Sequence, residues 1–352
     1  MKIAIIIYSL QSGGAEKVAA DLSLEFAKNH QVDLIIFDSK LIKYHYAGQL
    51  VDLNLPAIQG STIRRFVNFL YRAYKLKKLF TKHQYKQIIA IMEHAAFPAI
   101  LANKATIAAN HCNPERNFSK FDWLFAKWLY PQAKKVVTVS KKGEMIFKQH
   151  LHLKNTICLF NPVSFSYIQN LSLQTVPHYP EQAYFVAVGR LQPEKNFAGL
   201  IKAFSQTKAL ADYQLIILGE GILRAELQSL IQTLGLSHKV HLYGFVSNPY
   251  PYIAKAHALV LASWHEGFPL VLVEALGLYR PVIATDCETG PREIIQHNHN
   301  GLLVPPGDSI ALTQAIDQLA FNKILYEKLA QNAASSVQHL NIERVAQQWL
   351  DL

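Results

Sequence analysis

Cysteine is scarce in this chain of 352 residues. Cys112, Cys158 and Cys287 lie far apart and show none of the paired spacings of a zinc site or a disulfide framework, so a reducing compartment is the natural setting. Long apolar runs are missing too. No stretch reaches the roughly 18 to 20 residues needed to cross a bilayer, and the opening run Ile3-Ala4-Ile5-Ile6-Ile7 is too short for a secretion signal and reads as a buried strand. There is no Gly-x-Gly-x-x-Gly dinucleotide fingerprint and no P-loop. Acidic residues are short in one half only: residues 1–170 carry 23 Lys and Arg against 10 Asp and Glu, whereas residues 171–352 carry 12 against 15. The net charge of +10 is therefore a property of the first half, and an anionic partner belongs there.

With half of its residues apolar and 17% charged, the chain is long enough for two domains with their own cores. Short β-branched runs alternate with helical patterns, the signature of parallel sheets with crossover helices. The first series of expected strands is Ile3–Tyr8, Val32–Phe37, Gln87–Met92, Thr106–Ala109, Lys135–Val139 and Thr156–Leu159. A second series starts afresh with Tyr184–Val188, Gln214–Leu218, Val240–Tyr243, Ala258–Leu261, Pro281–Ala284 and Leu302–Val304. The expectation is an α/β protein of two doubly wound, Rossmann-like domains facing across a cleft: residues 1–165, a linker 166–182, and residues 183–340. An amphipathic helix at 341–352, with Ile342, Val345, Ala346, Trp349 and Leu350 on one face, is expected to pack back onto the first domain.

Open sheets of this kind bind ligands beyond the carboxyl ends of their strands, so chemistry is sought there. After the first strand, Gly13-Gly14-Ala15-Glu16 opens a helix; the glycine pair suits either a plain tight turn or a backbone cradle for an anion. Gly189-Arg190-Leu191-Gln192-Pro193-Glu194-Lys195-Asn196 follows a strand of the second series, placing a guanidinium fork and a point charge on one loop, a pair suited to a diphosphate. Further on, Ser263-Trp264-His265-Glu266-Gly267-Phe268-Pro269 leaves another strand and opens a helix. Inside that helix Glu274 is surrounded in sequence by Leu270, Val271, Leu272, Val273, Ala275 and Leu276. Its carboxylate is expected to be buried and to need partners, for which vicinal sugar hydroxyls are suited; capping of its own helix is the plainer role.

The pattern Gly-Arg-Leu-x-Pro-Glu-Lys-Asn, followed about 70 residues later by Glu-Gly-Phe-Pro-Leu-x-Leu-x-Glu-Ala, resembles the retaining glycosyltransferases of family 4, which have the GT-B fold. The likeness continues through Gly290-Pro291-Arg292-Glu293-Ile294 and Asn300-Gly301-Leu302, includes Gly13-Gly14-Ala15-Glu16, and is weak in the rest of the first half. The resemblance implies that Arg190 and Lys195 hold the diphosphate of a nucleotide sugar, uridine-linked by family precedent, with backbone N–H groups around Gly267, Phe268, Leu270 and Val271. It implies that Glu274 holds the ribose, that Glu266 contacts the donor sugar, and that Gly13 and Gly14 close on the diphosphate. It also implies that His111, after a first-domain strand, is the cleft histidine, with His94 the second candidate. No cofactor or metal is expected, in keeping with the lack of the Asp-x-Asp metal anchor of the other main glycosyltransferase fold.

Residues 64–86 combine eight cations with six aromatics and no acid. Phe66, Phe69, Leu70, Ala73, Leu76 and Phe80 recur near helical spacing with Arg64, Arg65, Arg72, Lys75, Lys77 and Lys78 among them. This suits a helix lying in an anionic membrane interface, or one packing an apolar stripe on its own sheet. A second basic aromatic stretch runs from Phe118 to Trp128. The expected partners are thus a nucleotide-sugar donor, a lipid-linked or lipopolysaccharide glycan acceptor and the cytoplasmic face of a membrane. A nucleotide-sugar epimerase of the same fold and a basic nucleic-acid-binding protein are the alternatives; Glu266 and Glu274 would repel a polyanion, so nucleic acid is not expected as a partner.

Overall fold

The computed structural model describes residues 1–352 apart from Ser12, Gln59, Gly60, Pro177, His178 and Glu181. It divides into two compact units: Met1–Pro162 together with Ile342–Leu352, and Val163–Asn341.

The first unit is built on a parallel sheet of seven strands: β1 (Lys2–Ile7), β2 (Gln31–Ile36), β3 (Gln49–Asp52), β4 (Gln87–Ile91), β5 (Thr106–Asn110), β6 (Lys135–Thr138) and β7 (Thr156–Cys158). Their order is β3-β2-β1-β4-β5-β6-β7. β1 lies between β2 and β4, with Ile5 opposite Leu34 on one side and Ile89 on the other. Helices cover the sheet, so Ile3, Ile5, Ile6 and Leu34 are all fully buried and the strands read as unbroken apolar runs without alternation.

The second unit repeats the plan with β8 (Ala183–Val188), β9 (Tyr213–Leu218), β10 (Val240–Gly244), β11 (Ala258–Leu261), β12 (Val282–Thr285) and β13 (Gly301–Val304), in the order β10-β9-β8-β11-β12-β13. In each sheet the winding reverses beside the first strand, between β1 and β4 and between β8 and β11. These are the topological switch points, where loops diverge and leave a crevice.

Two differences from the sequence expectation concern segments of weak pattern. β3 is a four-residue edge strand, Gln-Leu-Val-Asp, only partly buried, and offers no apolar run to detect. The segment 166–182, expected as an exposed linker, is largely occupied at its start by the helix Phe165–Ser172, whose Phe165 and Ile168 are buried. Phe165 packs where a Cβ on Gly277 would sit, so this segment belongs to the second unit, and the chain passes between units at Pro162–Val163 and at Asn341–Ile342. Of that segment, Pro177, His178 and Glu181 lie outside the described residues. The helix Ile342–Leu350 joins the first unit, its Trp349 1% exposed and its Trp349 carbonyl accepting from the Gln87 side chain of β4.

Candidate active site

The loops after β8 and β11 meet at the switch point of the second sheet. Leaving β8, the Gly189 N–H donates to Leu218 O at 3.0 Å and the Leu191 N–H to Glu220 O at 2.9 Å, laying this loop against the turn that follows β9. Gly219 in that turn has φ +150°, and a Cβ there would stand 1.8 Å from Gly189 O, so only glycine permits the approach. Leaving β11, the loop is braced from behind: the Thr285 hydroxyl donates to Ser263 O at 2.5 Å and that of Thr289 to Glu266 O. Gly290, at φ +87°, brings its backbone so close that a Cβ would lie 2.6 Å from Pro269 Cδ.

The two loops are stitched together. The Trp264 N–H donates to Glu194 O at 2.8 Å, and Lys195 Nζ stands 2.6 Å from Glu266 Oε1, with the two side chains only 19% and 9% exposed. The Ser263 hydroxyl donates to the same oxygen at 2.6 Å. Lys195 and Glu266, each singled out from the sequence for a different part of a donor, are thus one ion pair, a pairing that no local motif encodes. Arg190 is different. Its side chain is exposed and its guanidinium reaches Glu194 Oε1 only at 3.8 Å, leaving it accessible to an anion in solvent.

Glu274 lies within the helix Leu270–Gly277, whose start at Pro269 carries no side-chain cap. The carboxylate is buried, as its apolar neighbours led one to expect, and the hydroxyl of Tyr250, itself 5% exposed, donates to its Oε1 at 3.1 Å. Gly267 and Phe268 lie in the loop after Glu266, and Leu270 and Val271 form the first turn of the helix that carries Glu274. Tyr250 and Ser263 carry no motif; a buried carboxylate signals that partners exist but not which side chains supply them.

In the first unit, Gly13 precedes the helix Gly14–Ala27 at the end of β1, its N–H and carbonyl both 3.2 Å from the Tyr44 hydroxyl. At the neighbouring strand ends the two histidines separate clearly. His94 is exposed, 3.4 Å from Glu93 Oε1. Both ring nitrogens of His111 are buried with no hydrogen-bond partner among the described residues, and burial lowers its pKa to about 4, which keeps the ring neutral at physiological pH. Glu93 Oε2, Asn110 Oδ1 and the Tyr130 hydroxyl are likewise buried without hydrogen-bond partners among the described residues. Met92, between β4 and Glu93, holds φ +68°, a strained conformation for a bulky residue. No group of three or more His, Cys, Asp and Glu among the described residues is arranged to hold a metal ion.

The basic helix spans Thr62–His83. Ala73, Leu76 and Phe80 are buried, but Phe66 and Leu70, expected on the same stripe, are exposed on another face together with Ile63, Val67, Tyr71 and Tyr74. Arg72, expected among the membrane-facing cations, is instead buried: its Nε and Nη2 donate to Leu55 O at 3.1 and 2.7 Å and its guanidinium lies 4.6 Å above the Phe37 ring. Phe69 is likewise half-buried, 5.2 Å from Phe125 of the helix Lys120–Leu129. Arg64, Arg65, Lys77 and Lys78 remain exposed, whereas Lys75 is half-buried beside Tyr71. On the helix Lys120–Leu129, Phe121, Leu124 and Trp128 face solvent. No helix among the described residues is long and apolar enough to cross a membrane.

Two charged loops meet at the reversal point of a parallel sheet, and the same chain holds a second doubly wound unit, the arrangement expected of a GT-B glycosyltransferase. Comparison with known families agrees: the family description "Glycosyl transferases group 1" matches residues 170–336 and "Glycosyltransferase Family 4" matches residues 12–163. The chain belongs to the family 4 glycosyltransferases; it is a retaining glycosyltransferase of GT-B fold. This sets aside the epimerase and nucleic-acid readings. Among its relatives is the N-acetylgalactosamine-N,N'-diacetylbacillosaminyl-diphospho-undecaprenol 4-alpha-N-acetylgalactosaminyltransferase of Campylobacter jejuni, 31% identical, with 99% of each chain covered. The lipopolysaccharide 1,6-galactosyltransferase of Escherichia coli is 27% identical over 93% of this chain and 91% of its own. Anabaena HepE, crystallised with UDP and glucose, superposes with a TM-score of 0.82 at 22% identity, covering all of this chain and 98% of its own.

Proposed function

We propose that this enzyme transfers a hexose or N-acetylhexosamine from a UDP-sugar to a membrane-associated glycan, carried on a polyprenyl diphosphate or a lipopolysaccharide core, with retention of configuration. The observation that carries the reading is the junction at the second switch point, where the exposed Arg190, the Lys195–Glu266 pair and the buried Glu274 occupy one strand-end region. Arg190 and Lys195 take the diphosphate, with the N–H groups of Gly267, Phe268, Leu270 and Val271 assisting. Glu274 takes the ribose, and Glu266 takes hydroxyls of the sugar. The relatives' own substrates, an undecaprenol-linked glycan in one and lipopolysaccharide in another, support the acceptor class, and the UDP held by Anabaena HepE supports the base.

In the reaction the bond between the anomeric carbon and the phosphate oxygen breaks while the acceptor oxygen bonds to the same face of that carbon. The departing phosphate oxygen takes the acceptor proton. Negative charge grows on the diphosphate as the sugar becomes oxocarbenium-like, so cations that bind the diphosphate bind it more strongly in the transition state. The backbone of the Gly13-Gly14 turn in the first unit is assigned to the diphosphate as well. His111, held neutral by burial, offers one donor and one acceptor to sugar hydroxyls without placing a competing positive charge near the reacting carbon.

The basic first unit meets the membrane carrying the acceptor. The exposed face of the helix Thr62–His83, with Ile63, Phe66, Val67, Leu70, Tyr71 and Tyr74 beside Arg64, Arg65, Lys77 and Lys78, suits an anionic interface, apolar side chains inserted and cations at headgroup level. Titration of UDP, GDP and ADP and of their sugar conjugates in the presence of EDTA tests the donor assignment. Selective binding of uridine compounds that is lost in Arg190→Ala is expected; tighter binding of GDP or ADP refutes the choice of base.

A further inference from the structure

We infer that Tyr250 is a positioning residue of the nucleotide site, its phenol aiming the Glu274 carboxylate at the ribose and thereby setting the enzyme's preference for ribonucleotides over 2′-deoxynucleotides. The inference rests on the assignment of Glu274 to the ribose.

Three features of the fold make Tyr250 a fixed support. It opens the helix Tyr250–Lys255 between Pro249 and Pro251, two residues whose rings restrict the backbone on either side. Asn248 clamps the turn before it: its side-chain oxygen accepts from the Tyr250 N–H at 3.2 Å, and its amide nitrogen donates to Leu171 O at 3.0 Å and to Gln174 Oε1 at 2.8 Å. The ring is buried, and the hydroxyl reaches Glu274 Oε1 at 3.1 Å.

The chemistry of the donor matters as much as its place. A glutamate side chain has two staggered torsions and a broad terminal one, so a carboxylate without a fixed donor presents its oxygens in many directions. A phenol fixes one oxygen while leaving the carboxylate its charge. A lysine or arginine would hold it equally well but would neutralise it. Two vicinal hydroxyls are best met by a charged carboxylate whose plane is already set, because hydrogen bonds to a charged acceptor are strong and the ordering cost has been met in the fold.

The experiment is calorimetric titration of UDP and 2′-deoxy-UDP against the full chain and its variants. The wild type is expected to bind UDP at least about tenfold more tightly than the deoxy compound, the worth of a hydrogen bond to a charged group. In Tyr250→Phe the ratio falls to within about threefold, mainly through weaker UDP binding. A purely structural tyrosine would lower the melting temperature and weaken both nucleotides alike, and an unchanged ratio of that kind overturns the proposal. Should the phenylalanine variant not fold, 3-fluorotyrosine at position 250, a stronger donor of nearly the same shape, is expected to raise the ratio, and no change there overturns it equally. Glu274→Gln separates the two layers. If it binds both nucleotides as the wild type does, the ribose assignment itself fails; if it loses the preference while Tyr250→Phe keeps it, only the role of Tyr250 fails.

Discussion

Glu266→Gln is expected to bind UDP more tightly than the wild type while losing most of its turnover. The reasoning starts from the 2.6 Å contact between Lys195 Nζ and Glu266 Oε1. At an effective dielectric of about 20, two unit charges at that distance attract by about 6 kcal/mol, much of which is offset by the solvation each group has given up. A diphosphate arriving at Lys195 has to compete with that carboxylate for the ammonium. Glutamine keeps the shape and one weak acceptor but no charge, so the free protein is left with a poorly compensated cation and the diphosphate gains it undivided. A net gain of about 1 to 2 kcal/mol for UDP, five- to thirtyfold in affinity, is the expected size once screening is allowed for. The free protein should melt earlier than wild type, and the stabilisation by saturating UDP should grow. Turnover should fall by about two orders of magnitude, since the glutamine holds the sugar less well in the transition state. Calorimetry with UDP, thermal melting with and without UDP, and a transfer assay read the three effects. UDP affinity that is unchanged or weaker in Glu266→Gln refutes the competition, whatever happens to the rate.

Arg190→Ala should leave the melting temperature within a degree or two of wild type, because its side chain is exposed and only loosely paired, yet lower kcat/KM by about two to three orders of magnitude; wild-type kinetics would remove it from the diphosphate site. His111 is lowered to about 4 by burial, below its unfolded value near 6.5, so the unfolded chain binds the extra proton first. Its contribution is full above about pH 6.5 and is lost as the pH falls toward 4, up to about 3 kcal/mol; urea unfolding of wild type and His111→Gln at pH 7 and pH 4.5 should show a shallower pH slope in the variant, and equal slopes would sink the assignment. Lys77→Glu with Lys78→Glu should weaken binding to anionic vesicles by at least about thirtyfold, the loss of two cations at about one kcal/mol each before the repulsion of the new carboxylates is added, whereas Arg72→Ala, a buried residue, should destabilise the fold and leave vesicle binding unchanged. Equal partitioning of the charge-reversal variant and the wild type would disconnect this helix from the membrane.

How much of this was legible beforehand depends on whether a feature is local. Most of the strands found from sequence are buried on both faces, such as Ile3 to Ile7, because continuous β-branched runs leave a signal within six residues. β3 left none, being short, polar at both ends and at an edge. The residues of the second switch point were visible one loop at a time, since each loop has its own motif. Their pairing was not, because Lys195 and Glu266 are brought together by strand order, which no local pattern encodes. The basic helix shows the same limit in another form. Apolar residues at helical spacing declare that a helix has an apolar side, but this one has two, and only the packing of Ala73, Leu76 and Phe80 on the sheet tells which of them is core. Arg72 fell on the wrong side of that division, its charge suggesting solvent while its hydrogen bonds to Leu55 O keep it inside.

The return of the helix Ile342–Leu350 to the first unit has a consequence for biosynthesis. A ribosome delivers the seven strands of the first sheet early, but the helix that lies with Gly14–Ala27 and closes over Gln87 comes only after all of the second unit has been made. The unit encoded later is thus the first whose parts are all available to fold. Until that helix emerges, the nascent first unit displays the apolar surface that Ile342, Val345, Ala346 and Trp349 will cover. During that interval it is a natural client for a chaperone, and an early stop just before this helix would damage the unit encoded first while sparing its neighbour.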